Sequence, residues 1–458
     1  MTDEPEIPWW DQPFRSVVQG RRVIVAAASV TTGVGAARAL RSYGTDAVMV
    51  YALSPGDQPD DVDVYSTSAP ADSAHATLAE HWERHTSDLT LEARAAFDAF
   101  DPDGRAIVFR MLGAEPTNIA GRRVVAFRPD SWTALEDKTV IDAFWGRHGV
   151  RHQPSTVVRL RDAPTAAAGF DLGGGTVWAA DSRDGLHAAA SLTKWVRNAD
   201  DIEPVTDEMR PHCDRVRVMP FVEGIPCSIH GVVLPDGVAV LRPVEMLTLR
   251  QERWFRYLGA STFWDPPDRI RTEMRRTARS IGEGLAEEVD FRGAFSVDGV
   301  AAADGFWPTE VNPRVGGGLQ ALTHADGAPS VLLFELIVAG ASMGLSALEF
   351  ERRFTDLADA ERSCFLQVFS APSTTRAGTA RHDGTRWVWA GGDNEVAVSD
   401  QPHISFQAQP IGVLAHLTAD ALPHGDSAAG LAADFAQFLD REMGTSVGSL
   451  EGAIDPYR

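Results

Sequence analysis

The chain has 458 residues, a formal net charge of −22, and 44% hydrophobic and 23% charged residues. A chain of this length and composition is expected to form about three globular units with buried cores. The large negative charge argues against nucleic acid as a partner and against anionic membrane surfaces. The sequence has no run of about 18 apolar residues, so it predicts no membrane span.

Three widely spaced cysteines form neither a CxxC metal motif nor a disulfide framework, which indicates a reducing, cytoplasmic environment. The N-terminus is acidic and rich in proline, unlike a signal peptide, and residues 1–15 are predicted to be a flexible tail. Lys138 and Lys194 are the only lysines in the chain. In a protein that otherwise uses arginine, each lysine either supplies a compact ammonium to a site or is an ordinary surface residue.

Residues 21–53 show a clear βαβ pattern: the apolar strand RVIVAAA, the small-residue turn VTTGVG, a helix ended by Gly44, and a second apolar strand. Two buried strands joined in this way predict a doubly wound parallel sheet. The turn with Gly33 and Gly35 suggests a dinucleotide site, but the full glycine motif is absent, and Tyr51-Ala52-Leu53 replaces the expected acidic residue. Nicotinamide binding and a Rossmann dehydrogenase are therefore weak alternatives.

A helix over residues 75–100 and two strands over 106–112 and 122–128 are predicted to complete this first unit. The buried positions expected in the helical stretch are Leu78, Trp82, Leu89, Leu91 and Phe97. A helix from about Thr133 to Gly146 then opens a second unit, so a boundary near residue 130 is expected.

The second unit combines hairpins with long helices. A strand over 215–222 is followed by a hairpin that turns at Pro235-Asp236-Gly237, and residues 268–288 predict an amphipathic helix. Beyond a helix over 330–341, short β segments between 363 and 415 and a helix from about Ser427 to Met443 predict a third, β-rich unit.

The segment from residue 293 to residue 319 carries the strongest chemical signal. It predicts a hairpin that turns at Asp304-Gly305, with Asp298 on the first strand and Glu310 and Asn312 two positions apart on the second. Strand alternation places Glu310 and Asn312 on one face, roughly opposite Asp298. Two carboxylates and an amide oxygen are ligands that suit magnesium, particularly when nucleotide phosphates complete the shell. A solvated polar face is the alternative.

The D…E-x-N-P-R pattern resembles the metal-binding end of ATP-grasp ligases, and the resemblance covers about residues 20–345. It implies that Asp298, Glu310 and Asn312 hold Mg²⁺, or Mn²⁺ in its place, against the phosphates of ATP. It also implies that Arg314, two residues beyond Asn312, is catalytic and stabilises charge on the transferred phosphoryl group.

Three upstream segments agree with the resemblance in chain order. They are the EDK segment, the GGGT segment in the place of the glycine-rich loop that covers the phosphates, and the strand VMPFVEG beside adenine. The residues that these segments imply for nucleotide binding are Lys138, Gly173, Gly174, Gly175, Thr176, Phe221, Val222 and Glu223. The lysine usually found before the glycine loop is missing, and Lys194 is the candidate replacement. Pro220 stands where an acidic residue is common, so Glu223 is the candidate for its role.

The resemblance implies an α/β (α+β) architecture in three parts. These are a pre-ATP-grasp, Rossmann-like α/β domain over 16–130, a two-subdomain ATP-grasp core over 131–345, and a small β-rich α+β region over 346–458. It implies a ligase that uses ATP to activate a carboxylate as an acylphosphate for attack by an amine. The expected substrates are amino acids or peptide-like molecules, and a homodimer is one possible assembly. A small-molecule kinase on the same fold and a non-catalytic nucleotide-binding or regulatory protein are the alternatives.

The central arginines Arg242, Arg250, Arg253 and Arg256 either bind a substrate anion or form a solvated face. Ser228 and His230 alternate along a predicted strand, and core or edge placement is preferred for them over a nucleophilic triad.

Overall fold

The computed structural model describes residues 8–54, 58–67, 89–110, 117–183, 190–323, 330–390, 401–409, 412–417 and 422–458. Helices α1 to α12 span Asp11–Val18, Val30–Ser42, Leu91–Phe100, Asp130–Thr133, Ile141–Arg147, Ala163–Phe170, Ile202–Met209, Asp268–Val289, Gly318–Thr323, Ser330–Val338, Ala347–Ala360 and Ala429–Met443. Strands β1 to β20 span Arg22–Ser29, Ala47–Ser54, Asp63–Ser66, Ile107–Arg110, Asn118–Ile119, Arg122–Val124, Thr156–Arg159, Thr176–Ala180, Thr193–Val196, Arg215–Pro220, Ile225–Leu234, Gly237–Gln251, Trp254–Ser261, Gly293–Ala302, Gly305–Asn312, Cys364–Val368, Ala377–His382, Trp387–Trp389, His403–Gln409 and Gly412–Leu417.

The first six strands form one sheet in the order β3-β2-β1-β4-β6-β5. All neighbours in it are parallel except β5, which pairs with β6 in the antiparallel sense. The central strand β1 is buried on both faces, because Val23 and Val25 belong to one apolar core while Ile24 and Ala26 belong to another. This continuous apolar pattern is typical of a parallel sheet covered on both sides, as the sequence predicted.

The predicted turn over 30–35 is instead the first part of helix α2. The helix begins at Val30 directly after β1, and the Ser29 hydroxyl caps it by accepting a hydrogen bond from the Thr32 amide at 3.3 Å. A Cβ atom at Gly33 would lie 2.4 Å from Val50 Cγ1, whereas a Cβ atom at Gly35 would meet nothing within 4 Å. Gly33 is therefore needed for close contact between helix and sheet, and the segment is not a phosphate-binding loop.

Two other local predictions are corrected by burial. The predicted tail over 1–15 is too long, because α1 begins at Asp11 and Phe14 is fully buried. Leu91 was expected in the core but is 82% exposed at the start of α3, while Phe97 is buried. Leu78 and Trp82 lie outside the described residues, and Leu89 is half-buried.

The remaining fourteen strands form a second, larger sheet with two arms. One arm runs β15-β14-β11-β12-β13 with antiparallel neighbours, and α8 buries Met274, Ile281 and Leu285 against it. The other arm is a four-stranded antiparallel unit in the order β7-β10-β8-β9, covered by α6 and α7. The two arms meet where Trp254 of β13 pairs with Lys194 of β9.

The C-terminal strands continue this sheet. Strand β16 pairs with β13, and β20, β19, β17 and β18 follow in that order. Helix α12 packs on them, and its Phe435 and Phe438 share one apolar core with Leu247 and Leu249 of β12. The predicted closing helix and the short β segments before it are therefore present. Among the helices of the described ranges, none has both the length and the apolarity that crossing a bilayer would require.

Replacement of Gly33 by Ala is expected to lower the free energy of unfolding by about 1–3 kcal/mol, because the added methyl group overlaps Val50. Gly35→Ala in the same helix is the matched control and is expected to raise it by about 0.5–1 kcal/mol, since the methyl group meets no neighbour. Chemical denaturation measures both values. Equal effects at the two positions would contradict the packing role of Gly33.

Glu245 predicts a pH dependence of stability. Its carboxylate accepts hydrogen bonds from the Ser427 hydroxyl and the Ala428 amide just before α12, and burial, followed by the nearby Asp455 charge, raises its pKa from 4.5 to about 7. The folded protein therefore holds this proton more tightly than the unfolded chain does. Its contribution to stability is present in full below about pH 4.5 and is lost as the pH rises to about 7, with a loss of about 3 kcal/mol.

The Glu245→Gln variant should lack this component. The free energy of unfolding of the variant, minus that of the parent protein, is therefore expected to be larger at about pH 8 than at about pH 5, so the variant is relatively more stable at the higher pH. Urea denaturation measures both values. Glu361→Gln, at an exposed position, is the control. A constant difference between the parent protein and the Glu245→Gln variant at the two pH values would show that Glu245 does not titrate in this range.

Candidate functional site

The hairpin of β14 and β15 brings the predicted metal ligands together. Asp298 pairs with Glu310, and Ser296 pairs with Asn312 two residues along. On the other side of β14, Ser228 of β11 lies opposite Asp298. The predicted placement of the two carboxylates across the hairpin is therefore the observed one.

Hydrogen bonds show how close the two carboxylates are. Asn312 Nδ2 donates to Asp298 Oδ2 at 3.0 Å and to Glu310 Oε1 at 3.3 Å. The Ser228 hydroxyl donates to Asp298 Oδ1 at 2.6 Å. Lys138 Nζ lies 2.9 Å from Glu310 Oε2, so the lysine predicted to contact phosphate stands at the same carboxylate row.

The electrostatics of the pair are asymmetric. Burial, and then the neighbouring Glu310 carboxylate, raise the pKa of Asp298 to about 7. Burial alone would also raise the pKa of Glu310, but the Lys138 ammonium, together with hydrogen bonds from Asp298 and Asn312, outweighs it and lowers that pKa to about 2. Two buried acidic groups that share one amide donor, with an ammonium at only one of them, form a place where a further cation is favourable.

The donor set fits magnesium, because both carboxylates and the Asn312 amide can offer hard oxygen ligands. In the observed orientation Asn312 Oδ1 accepts a hydrogen bond from Arg314 at 3.1 Å, and the amide nitrogen faces the carboxylates. Ligation by Asn312 therefore requires the opposite amide orientation. Within the described ranges no three His, Cys, Asp or Glu side chains form a metal-binding group, so phosphate and water oxygens would complete the shell of an ion here.

Arg314 is held at the end of this row. Its Nε donates to Glu136 Oε2 at 2.9 Å, and Glu136 Oε1 accepts from Arg128 at 2.6 Å. Burial would raise the pKa of Glu136, but Arg314 and then Arg128 outweigh it and keep that pKa below its usual range. The ionised Glu136 thus fixes the guanidinium of Arg314 beside Asn312.

A second glycine run, Gly316 to Gly318, begins two residues after Arg314, and the sequence predicted no role for it. A Cβ atom at Gly317 would lie 2.1 Å from Tyr257 Oη, and one at Gly318 would lie 2.5 Å from His230 Cε1. The glycines therefore let the backbone pass close to these side chains. His230 is buried, and burial lowers its pKa to about 3, so it is neutral near pH 7.

The predicted glycine loop is a compact turn between α6 and β8. Asp171 Oδ1 accepts hydrogen bonds from the amides of Gly173 at 2.7 Å and Gly175 at 2.9 Å. A Cβ atom at Gly175 would lie 2.3 Å from Val196 O, and its φ of +81° also favours glycine. The Thr176 hydroxyl is buried and accepts from Trp178 Nε1 at 3.0 Å. The Gly173 and Gly175 amides and the Thr176 hydroxyl thus form hydrogen bonds within the protein. In this conformation, these bonds argue against a role of the turn in covering phosphates.

Trp195 contacts two of the residues that were predicted to bind the nucleotide, Phe221 and Gly174. Its ring stacks on Phe221 with centroids 4.2 Å apart, and its Nε1 donates to Gly174 O at 2.8 Å. Arg250 lies over both rings and forms an ion pair with Glu223. Glu223 is thus engaged by Arg250. Trp195 itself carried no sequence signal beyond its place in the strand TKWV.

Val222, between Phe221 and Glu223 and predicted to lie beside adenine, is half-buried.

The proposed replacement of the missing lysine by Lys194 is not supported by the geometry. Lys194 lies on the opposite face of β9 from Trp195, is completely buried, and binds the Glu208 carboxylate. Its Nζ is 3.2 Å from the centroid of the Trp254 ring, and burial lowers its pKa to about 8. Lys194 is therefore a core residue that joins the two arms of the sheet, and the surface alternative is also wrong.

No protein-family model and no curated protein matches the chain. Solved structures with similar folds include pyruvate carboxylase from Rhizobium etli, with 15% identity, a TM-score of 0.60 and coverage of 94% of this chain and 38% of that chain. A biotin carboxylase–β-γ-ATP complex from Campylobacter jejuni has 13% identity, a TM-score of 0.57 and coverage of 94% and 92%.

The N5-carboxyaminoimidazole synthase from Aspergillus clavatus, in complex with ADP and 5-aminoimidazole ribonucleotide, has 11% identity, a TM-score of 0.52 and coverage of 92% of this chain and 98% of that chain. Likenesses at this level of identity concern the fold, and they extend over nearly the whole chain. The protein therefore shares its fold with this synthase and these carboxylases.

Proposed function

We propose that the protein is an ATP- and magnesium-dependent ligase that activates a carboxylate as an acylphosphate and joins it to an amine. The observation that carries the proposal is the row of Asp298, Glu310 and Asn312, with Lys138 at one carboxylate and Arg314 at the amide. ADP and a β-γ-ATP ligand are bound in proteins of similar fold, which supports a nucleotide as co-substrate.

In the proposed reaction, an oxygen of the acceptor carboxylate attacks the γ-phosphorus of ATP, and the bond to the bridging oxygen of ADP breaks. The amine then attacks the acyl carbon and loses a proton, and inorganic phosphate leaves. Asp298, Glu310 and Asn312 would hold Mg²⁺, which neutralises charge on the nucleotide phosphates. Lys138 and Arg314 contribute fixed positive charge around the transferred group.

The proposal requires no covalent nucleophile from the protein. The Ser228 hydroxyl donates to Asp298 and thus orients a metal ligand, and the neutral His230 lies two residues further along β11. Positioning and electrostatic stabilisation are the contributions that phosphoryl transfer needs.

Two of the central arginines are engaged within the protein. Arg242 is buried and pairs with Asp265 and Asp359, and Arg250 pairs with Glu223. The resemblance supports an amino-acid or peptide-like substrate. Because Arg242 and Arg250 are already paired within the protein, neither is proposed to bind the carboxylate of that substrate.

A nucleotide-binding protein without turnover is the second candidate. The stretch before the glycine turn, residues 163–172, contains no lysine, and the turn itself is closed by Asp171. Both observations remove groups that would otherwise surround the phosphates.

Release of ADP should separate these functions. With ATP, Mg²⁺ and pools of small carboxylic acids and amino acids, ADP formation is expected to require both an acid and an amine. Glu310→Gln should lower the rate by at least about 100-fold, since it removes one of two carboxylate ligands. Asp304→Asn, at the exposed turn of the same hairpin, is the matched control and should retain the parent rate.

Each other outcome of this assay has a defined meaning. ADP release that needs an acceptor but no amine would indicate a kinase. Magnesium-dependent ATP binding without release would favour the non-catalytic candidate. Substantial activity in the folded Glu310→Gln variant would contradict the metal assignment.

The two lysines should behave differently. Lys138→Ala is expected to weaken ATP binding about tenfold or more, because a charged hydrogen-bond donor near the phosphates is lost. Lys194→Met should leave ATP affinity unchanged and lower the melting temperature, since its ammonium serves Glu208 and Trp254. Calorimetric titration and thermal unfolding measure the two effects. If Lys194→Met lost as much ATP affinity as Lys138→Ala, Lys194 would have to be counted among the nucleotide-binding residues.

A further inference from the structure

Arg217 is a buried cation that projects away from the core of its own strand. Its neighbours Val216 and Val218 belong to the apolar core under α6 and α7, so strand alternation puts Arg217 on the other face of β10. It pairs there with Ala179 of β8, on the face that also carries Trp195 of β9. This is the face on which Trp195 meets Phe221.

From this face Arg217 reaches the hairpin that carries the carboxylates. Its NH1 group donates to Thr309 O at 2.9 Å. Its Nε donates to Asp142 Oδ2 at 3.1 Å and to Ser155 Oγ at 3.2 Å, and its NH2 group lies 2.6 Å from Asp142 Oδ1. One guanidinium therefore joins the four-stranded arm to strand β15.

Thr309 is the irregular residue of that hairpin. Asp298 pairs with Glu310 and Gly299 pairs with Pro308, so Thr309 has no partner in the register and forms a β-bulge. A bulge leaves backbone groups outside the ladder and re-aims the neighbouring side chains. Arg217 supplies the hydrogen-bond donor for the Thr309 carbonyl, whose peptide group leads directly into Glu310.

Thr309 also contacts the other strand. Its hydroxyl donates to the carbonyl of Asp298 at 3.1 Å. The bulge residue is thus bonded to Arg217 through its carbonyl and to the Asp298 backbone through its side chain. A shift of Thr309 would move both carboxylates relative to each other.

We propose that Arg217 is a positioning residue for the metal ligands: it fixes the bulge at Thr309 and thereby sets the spacing of Asp298 and Glu310 under the four-stranded arm. The inference rests on the proposed function, because it assumes that these carboxylates hold magnesium with a nucleotide. Removal of a group that orients metal ligands commonly lowers metal affinity by about 10–100-fold.

The test variant is Arg217→Gln combined with Asp142→Asn, because loss of the arginine alone would leave the half-buried Asp142 carboxylate without its partner. Calorimetric titration with ADP at a series of Mg²⁺ concentrations gives the concentration for half-maximal binding. This value is expected to rise about tenfold or more, with ADP affinity in the absence of Mg²⁺ unchanged. ADP is used because it binds without turnover.

Arg215→Gln is the matched control, since Arg215 is on the same strand but exposed, and it should leave the Mg²⁺ dependence unchanged. A purely structural role for Arg217 would lower the melting temperature or the fraction of binding-competent protein without shifting half-saturation. Arg217→Lys keeps the charge but loses the forked geometry, and it should shift the value in the same direction by less. The Lys variant carries the test if the double variant does not fold.

Glu310→Gln distinguishes the two ways in which the inference can fail. If the parent protein and Glu310→Gln show the same Mg²⁺ dependence, the proposed metal site is wrong and the role of Arg217 falls with it. If those two differ while the folded Arg217 variants match the parent, the metal site stands and only the positioning role is overturned.

Discussion

The site depends on two carboxylates that the β14–β15 hairpin forces together. Asp298 and Glu310 face each other across the hairpin and share one amide donor. Acidic groups at this separation repel each other when both are ionised, and burial makes the repulsion stronger. The surrounding residues respond to that constraint, since Lys138 stabilises the charge on Glu310 while Asp298 retains a raised pKa. A divalent cation relieves the same repulsion.

The cationic residues around the pair are themselves held by ion pairs that lie further out. Glu136 fixes Arg314 and is in turn bonded to Arg128, and Asp142 fixes Arg217. These pairs explain why buried charges are tolerated so near one another, because each is hydrogen-bonded as well as neutralised. A charge pattern held in place in this way would suit the proposed phosphoryl transfer, in which fixed charges stabilise the developing negative charge.

The sequence predicted the parts of this arrangement that follow from periodicity. The Asp-Gly turn and strand alternation place Asp298 opposite Glu310, and the apolar run of β1 indicates a buried parallel strand. The bulge at Thr309 was not predictable, because no characteristic residue type marks the position of an extra residue in a strand. The face of Lys194 depended on the register of β9, which local sequence does not set.

The glycines also show what the sequence alone does not predict. A run of glycines indicates that the backbone is closely approached or has a positive φ, but it does not indicate which group approaches it. At Gly33 the neighbour is Val50, and at Gly175 it is the carbonyl of Val196. The sequence predicted a phosphate at Gly175 and offered one at Gly33 only as a weak alternative. Only the tertiary structure distinguishes a protein neighbour from a ligand.

The continuous core between the central and C-terminal strands has a consequence for cooperativity. Leu247, Leu249 and Leu258 of β12 and β13 pack in the same core as Phe435 and Phe438 of α12. Opening of the C-terminal layer would expose one side of the strands that also lead to the Arg250–Glu223 ion pair. The two layers should therefore exchange their amide hydrogens as a single cooperative unit, and the local stability around Arg250 and Glu223 should depend on residues far along the chain.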